Sequence, residues 1–299
     1  MNIFNMSTHL EYEDVISIEN LFQAWNEFKK GKRAKKDVQI FARYLEDNLF
    51  ELYFKLKSRT YRHGVYHSFY VHDPKRRHIH KASVEDRIVH HLLYKFIYGL
   101  FDKTFIYDSY SCRLEKGTHK AVRRLATLVR KVSKNYTAGC WVLKCDVKKF
   151  FASINHKILL VLLTRKIKDK KVLWLLGEIV NSFDSEFGKG RGVPLGNLTS
   201  QIFANIYLNE FDQFVKHNLK VKYYLRYADD FMFVSQDKDL LYRCINTLKK
   251  YLFENVKLEL HPKKIVLRRL EWGIDFLGYI VLPHYVLPRT KTKIRILRF

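Results

Sequence analysis

Apolar residues recur along this chain at two spacings, and the switches between them lay out its elements. Leu21, Trp25 and Phe28 fall on one helical face, and Phe41, Tyr44 and Leu45 on another, which predicts helix from Ile16 to about Ser58. The run Lys29-Lys30-Gly31-Lys32-Arg33-Ala34-Lys35-Lys36 interrupts it as a basic loop, either solvated or touching a phosphate backbone. Tyr66, Phe69 and Val71, then a break at Asp73-Pro74, then Ile79 and His80, predict a β-hairpin over Val65 to Ala82 with Pro74-Lys75-Arg76-Arg77 on its turn. Ser83 reads as the cap of a helix over Val84 to Leu100, with Ile88, Leu92, Phe96 and Leu100 on one face. A loop over residues 109–118 leads into a basic helix through Arg123, Arg124 and Arg130.

The second half is richer in short strands. Residues 141–147 form an apolar strand that carries Asp146 at its end. Lys148-Lys149-Phe150-Phe151 turns the chain, and Ser153 or Asn155 can cap the helix beyond. The Gly-rich loop of residues 188–196 opens a helix from about Ser200 to Val215 and lacks the Gly-Lys-Ser/Thr of a phosphate-binding P-loop. Residues 225–234 are two apolar strand segments meeting at Asp229-Asp230. A helix over Lys238 to Phe253 follows, then strands at Leu258–Leu260 and Ile265–Leu267, and a last hairpin from Phe276 to Leu287. No internal repeat or low-complexity segment occurs.

Asp-Asp is unfavourable inside a strand and suits the tip of a hairpin. Two carboxylates on one turn are half of a divalent-cation site, because Mg²⁺ takes oxygen ligands; an ordinary acidic turn looks the same. Asp146, at the end of another strand, is the third carboxylate that tips the balance. Two Mg²⁺ ions, with Mn²⁺ as a substitute, would activate an attacking oxygen and stabilise a leaving one. Fifty-five Lys and Arg against thirty Asp and Glu give a net charge of +25, which calls for a polyanionic partner such as nucleic acid. Nucleotidyl transfer and phosphodiester hydrolysis both fit these residues.

Composition narrows the setting. A 47 % hydrophobic chain of 299 residues is globular, with core enough for one or two domains. Apolar runs such as Ile158–Leu163 are too short to span a membrane, and Met1-Asn2-Ile3-Phe4-Asn5 is no secretion signal. Cys112, Cys140, Cys145 and Cys244 match no metal spacing and read as reduced thiols of a cytoplasmic protein.

The order Asp146 strand, Gly196/Ser200/Gln201 helix, Tyr227-Ala228-Asp229-Asp230 hairpin, Lys264 and Phe276-Leu277-Gly278-Tyr279 resembles a reverse transcriptase, motif by motif. Pro74-Lys75-Arg76-Arg77, Asp86-Arg87 and Tyr110-Ser111-Cys112-Arg113 resemble the finger motifs of bacterial and phage retroelement enzymes, and the likeness runs from about residue 15 to 288. It implies an α+β right-hand polymerase: fingers over residues 1–130, a palm of antiparallel sheet backed by helices over 131–275 with about 175–200 lent to the fingers, and a primer-grip hairpin and thumb start over 276–299. It implies RNA-directed DNA synthesis, with template RNA, the RNA/cDNA duplex and dNTPs as partners and no membrane.

Roles follow from the resemblance. Asp146 and Asp229 would bind both metals, with the carbonyl of Val147 as a further ligand and Asp230 completing the set. Phe151 would be the steric gate against a ribose 2′-OH, with Phe150 in the core. Lys75, Arg77 and Arg113 would hold the triphosphate, and Lys264 would be the general acid toward pyrophosphate. Leu195, Gly196 and Gln201 would line the nucleotide site, with Gly196 letting the backbone approach the template base. Phe276, Leu277, Gly278 and Tyr279 would grip the primer.

The stretch Leu195-Gly196-Asn197-Leu198-Thr199-Ser200-Gln201 resembles the diversity-generating retroelement type, in which an error-prone enzyme works with a small basic accessory protein. A phage-defence or retron-like enzyme is the nearest rival, and a non-catalytic RNA-binding scaffold the rival of another class. Twenty residues after Tyr279 are too few for a helical thumb, so a truncated thumb, or a partner clamping the duplex in its place, is expected.

Overall fold

A computed structural model describes residues 11–72 and 76–297 of the chain. These fall into two units. One comprises the residues up to Thr104 together with Phe151–Tyr207, the other Phe105–Phe150 together with the residues from Leu208 onward.

The first unit is helical with one hairpin. Helix Ile18–Phe28 starts where Ser17 accepts the N–H of Asn20, and it buries Leu21, Ala24, Trp25 and Phe28. Lys36–Arg43 and Leu45–Lys57 continue the layer after the basic loop. The hairpin pairs β1 (His67–Val71) with β2 (Arg77–Lys81), in register from His67↔Lys81 to Val71↔Arg77. The turn residues Asp73, Pro74 and Lys75 lie outside the described residues. Helix Val84–Phe101 begins at the Ser83 cap, as its sequence predicts.

Asp86, in the first turn of that helix, is buried and holds the segment before it. It accepts from the Tyr61 and Ser83 hydroxyls, each at 2.7 Å, and from the Gly64 N–H. Burial opposes its charge, but nearby His63 and these donors keep its carboxyl below the ordinary value. His63 meets His90, and His90 Nδ1 lies 2.6 Å from Thr199 Oγ1. Burial pushes the His90 pKa down to about 3, so the ring is neutral.

Helices His156–Thr164 and Lys170–Val180 complete this layer, capped by Asn155 and Asp169. The second of them is not anticipated by the sequence reading. Its buried residues Val172, Leu175, Leu176, Ile179 and Val180 nevertheless fall on one helical face, the spacing of an amphipathic helix.

The second unit is built on an antiparallel sheet ordered β4-β5-β3-β6: β3 is Trp141–Asp146, β4 Tyr224–Tyr227, β5 Asp230–Ser235 and β6 Val266–Arg269. Val142, Leu225, Met232 and Val234 pack with Val122, Leu125 and Val129 of helix Thr118–Val132. Helix Lys238–Val256 packs against β3 and β5. The basic helix therefore packs with this sheet, in the unit that includes Phe105–Phe150.

A second sheet, β7 (Ile274–Phe276), β8 (Tyr279–Val281) and β9 (Val286–Pro288), replaces the two-stranded hairpin expected of the tail. Helix Thr290–Ile296 follows it. Leu258–Leu260 is no ladder strand: Leu260 makes a single bridge to Val147, and regular pairing begins at Val266. Among the described residues no helix is long and apolar enough to cross a membrane. Cys140 and Cys145 are buried, which pushes both thiols up to about 12.

Candidate active site

The second unit brings the three carboxylates to one end of its sheet. Asp146 ends β3 and stands directly opposite Asp230, the first residue of β5, while Asp229 occupies the β4–β5 turn. Because side chains alternate along a strand, Val142, Lys144 and Asp146 share one face. Helix Thr118–Val132 covers that face at its Val142 end, leaving the carboxylates at the other. The ladder continues one residue past Asp146, where the Val147 N–H donates to the Asp229 carbonyl at 3.2 Å. On the other edge His261 donates to the Asp146 carbonyl and Lys148 to that of Glu259, pinning both sides of the strand end.

The turn itself is strained. Ala228 has φ +53°, a conformation a residue with a Cβ rarely adopts. Arg226, fully buried on β4, holds it by donating from Nη1 to the Ala228 carbonyl at 3.1 Å. Its Nε and Nη2 donate to Asp212 on helix Leu198–Gln213, with the shortest contact at 2.6 Å. Tyr224 also donates to Asp212. This buried pair is absent from the sequence reading. Its one signal is an arginine in an otherwise apolar strand.

Two lysines pair with two of the carboxylates. Lys264 Nζ lies 2.8 Å from Asp146 Oδ1, and Lys144 Nζ lies 3.1 Å from Asp230 Oδ2. Burial pushes the Asp230 pKa up to about 6 against the pull of Lys144, with Asp146 and Asp229 adding to the rise. Asp230 Oδ1 is buried with no partner. Among the described residues no three His, Cys, Asp or Glu side chains already surround a common point. The donor set nevertheless fits a hard divalent cation. It offers three carboxylates on rigid strand ends, one buried oxygen lacking a partner, and a charge on Asp230 that burial leaves undercompensated.

The remaining candidates are distributed as follows. Phe276 is buried at the end of β7; Leu277 and Gly278 both have positive φ and make the tight turn into Tyr279, whose hydroxyl meets His119. Arg113, expected at the triphosphate, donates to the carbonyls of Ile106 and Ser109 at 2.8 and 3.1 Å and so braces its own loop. Phe150 is buried.

In the first unit, Phe151 is half-buried, Gln201 is exposed in the first turn of its helix and Arg77 is exposed on β2. Lys75 lies outside the described residues. Leu195 is half-buried, and its carbonyl accepts the His80 N–H at 3.0 Å. Asn197 donates back to the His80 carbonyl at 2.9 Å. Gly196, at φ +107°, leaves room for Ile79 Cγ2, which would lie 2.8 Å from any Cβ there. In this structure, hairpin strand β2 makes that close approach.

Comparison with known proteins agrees with this architecture. The chain is 26 % identical over 233 residues to Protein YkfC of Escherichia coli, covering 66 % of this chain and 61 % of that one. It is 24 % identical over 187 residues to the group II intron-encoded protein LtrA of Lactococcus lactis, covering 60 % of this chain and 30 % of that one. The chain thus spans less than two thirds of these relatives. The fold resembles apo telomerase from Candida tropicalis truncated from its C-terminal domain, with a TM-score of 0.57 at 15 % identity over 75 % of this chain and 54 % of that one. The family described as reverse transcriptase (RNA-dependent DNA polymerase) matches residues 72–281, well over half of the sequence, and the chain belongs to that family.

Proposed function

We propose that this chain is an RNA-directed DNA polymerase that copies a template RNA into cDNA by two-metal nucleotidyl transfer, in a diversity-generating retroelement. The observation that carries the reading is the register Asp146↔Asp230 with Asp229 on the adjoining turn, in a chain of this family.

Asp146, Asp229 and Asp230 would hold two Mg²⁺ ions, assisted by the Val147 carbonyl. When bound, the ions would activate the primer 3′-oxygen and stabilise the leaving pyrophosphate. The Arg226–Asp212 pair keeps the turn from relaxing, so the carboxylates need not reorganise during the reaction. Lys264 Nζ lies 2.8 Å from Asp146 Oδ1 and is assigned proton delivery to pyrophosphate. Lys75 and Arg77 would hold the triphosphate, and Gln201 would line the nucleotide site. Arg113 keeps that assignment only if it leaves its loop carbonyls. Phe151 would bar the 2′-OH, Leu195 would pack on the incoming nucleotide, and Phe276 to Tyr279 would hold the primer. A small basic accessory protein is the expected partner.

The test is primer extension on an RNA template with dNTPs. The expected result is cDNA in Mg²⁺ or Mn²⁺, none after chelation, and errors concentrated opposite template adenines. Template binding without extension would support the scaffold reading instead. Faithful copying would favour an intron-type enzyme, the alternative that LtrA raises.

A further inference from the structure

We infer that Lys144 is a positioning residue that ties the primer-holding turn to the carboxylate cluster, fixing the primer 3′ end against Asp230. The inference rests on the polymerase reading and adds to it a residue with no assigned part.

Lys144 sits on β3 two residues before Asp146, on the same face and one pleat behind it. Opposite it are Met232 on β5 and Val266 on β6, so its ammonium is the polar group of an otherwise apolar row. That ammonium makes two bonds in different directions. One goes to Asp230 Oδ2 at 3.1 Å, the other to the main-chain carbonyl of Asp275 at 2.9 Å. Asp275 is the middle residue of β7, directly before Phe276. A single side chain therefore links the four-stranded sheet, at a candidate metal ligand, to the three-stranded sheet that carries the primer-grip turn.

The same turn is braced from its far side. The Asp275 carboxylate pairs with the Arg289 guanidinium, and the Arg289 N–H donates to the Gly278 carbonyl at 2.8 Å. Lys144 and Arg289 thus grip β7 and the Leu277-Gly278 turn from two directions. A compact ammonium suits this place because its three donors reach a carboxylate and a carbonyl together. A residue present only to neutralise Asp230 would have no need of the Asp275 carbonyl.

The experiment measures single-nucleotide addition by the full chain on a primed RNA template, titrating dNTP at saturating Mg²⁺ and Mg²⁺ at saturating dNTP. Lys144→Met keeps the stem and removes the ammonium. Its maximal rate should fall about tenfold or more, with dNTP KM unchanged and the Mg²⁺ concentration for half-maximal rate within about twofold of the original. The loss should be larger on a primer whose 3′ end is mispaired, since that end already sits poorly. Lys144→Arg, which can reach both oxygens, should recover most of the rate. Arg289→Gln, on an exposed side chain, should give the same pattern in weaker form and guards against a folding defect in Lys144→Met.

An unaltered rate in Lys144→Met, or a rate that high Mg²⁺ restores, would overturn the inference; the second result would make Lys144 a counter-charge alone. Failure of the unaltered chain to extend any primer would overturn the polymerase reading and this inference with it.

Discussion

The β4–β5 and β1–β2 hairpins share a motif and are held in opposite ways. In β4–β5, Tyr224, Leu225, Arg226 and the residues from Phe231 to Val234 are all buried, and the buried Arg226–Asp212 pair clamps a strained turn. In β1–β2, every residue of β1 is exposed. Tyr70 stacks on His78 with centroids 4.5 Å apart, His78 meets His80 at 4.3 Å, and Arg76 lies over the Tyr70 ring. At its base two hydrogen bonds join His80 to Leu195 and Asn197. On the proposed reading, carboxylates that are to hold cations must keep their places through the reaction, which suits a hairpin built into the core, whereas a hairpin that is to meet a changing nucleotide needs freedom beyond its anchored base.

The largest effect should come from breaking the clamp. Asp212→Ala leaves a buried guanidinium unpaired and should cost about 3–5 kcal/mol in chemical denaturation. Tyr70→Ala on the exposed hairpin should cost no more than about 1 kcal/mol. Similar losses at the two sites would erase the distinction between the hairpins.

Next in size is Asp229→Asn, which keeps the shape of the turn and removes a charge proposed to hold a cation. Extension should drop more than about a hundredfold, roughly 2.7 kcal/mol of barrier, while thermal melting stays within a few degrees. Retention of more than about one hundredth of the activity would remove Asp229 from the metal site.

Gly196→Ala probes the anchor of the open hairpin. A methyl group there must adopt φ +107° and displace Ile79. The expected loss is about 1–3 kcal/mol of stability, read by denaturation. An undiminished midpoint would mean that the anchor yields, and that the hairpin is held by its aromatic stack.

What was legible in the sequence follows from the range of each signal. Strands ending in Asp146 and beginning at Asp230 were readable because alternation and turn chemistry are local. The Ser83, Asn155 and Asp237 caps are local too: Ser83 is the cap that its sequence predicts, Asn155 is the one of two candidates, Ser153 or Asn155, that caps, and the helix after Asp237 starts at Lys238. The pairs Arg226–Asp212 and Lys144–Asp275 join residues far apart in the chain, and a charge in a strand does not say what it will meet. Leu258–Leu260 misled for the opposite reason: its alternation is strand-like, but it forms a single bridge, at Leu260, and no ladder.

The smallest effect expected is on fidelity, at the junction of the open hairpin with Leu195. By the resemblance drawn above, Leu195 would line the nucleotide site, where a Gln could take its place. An amide there can donate and accept hydrogen bonds and so fix the sugar and base, whereas Leu can only pack. Its backbone is tied to β2 through His80, so its side chain is presented from a defined place. With packing alone, correct and incorrect pairs differ less in the transition state, where discrimination arises. A loss of only about 1.4 kcal/mol raises an error rate tenfold. Leu195→Gln should therefore lower misincorporation opposite template adenines by about tenfold, with little change in the other error classes. Sequencing cDNA made by both forms on one template measures this directly. Equal error spectra would separate fidelity from Leu195 and leave the carboxylate site and the contrast between the hairpins intact.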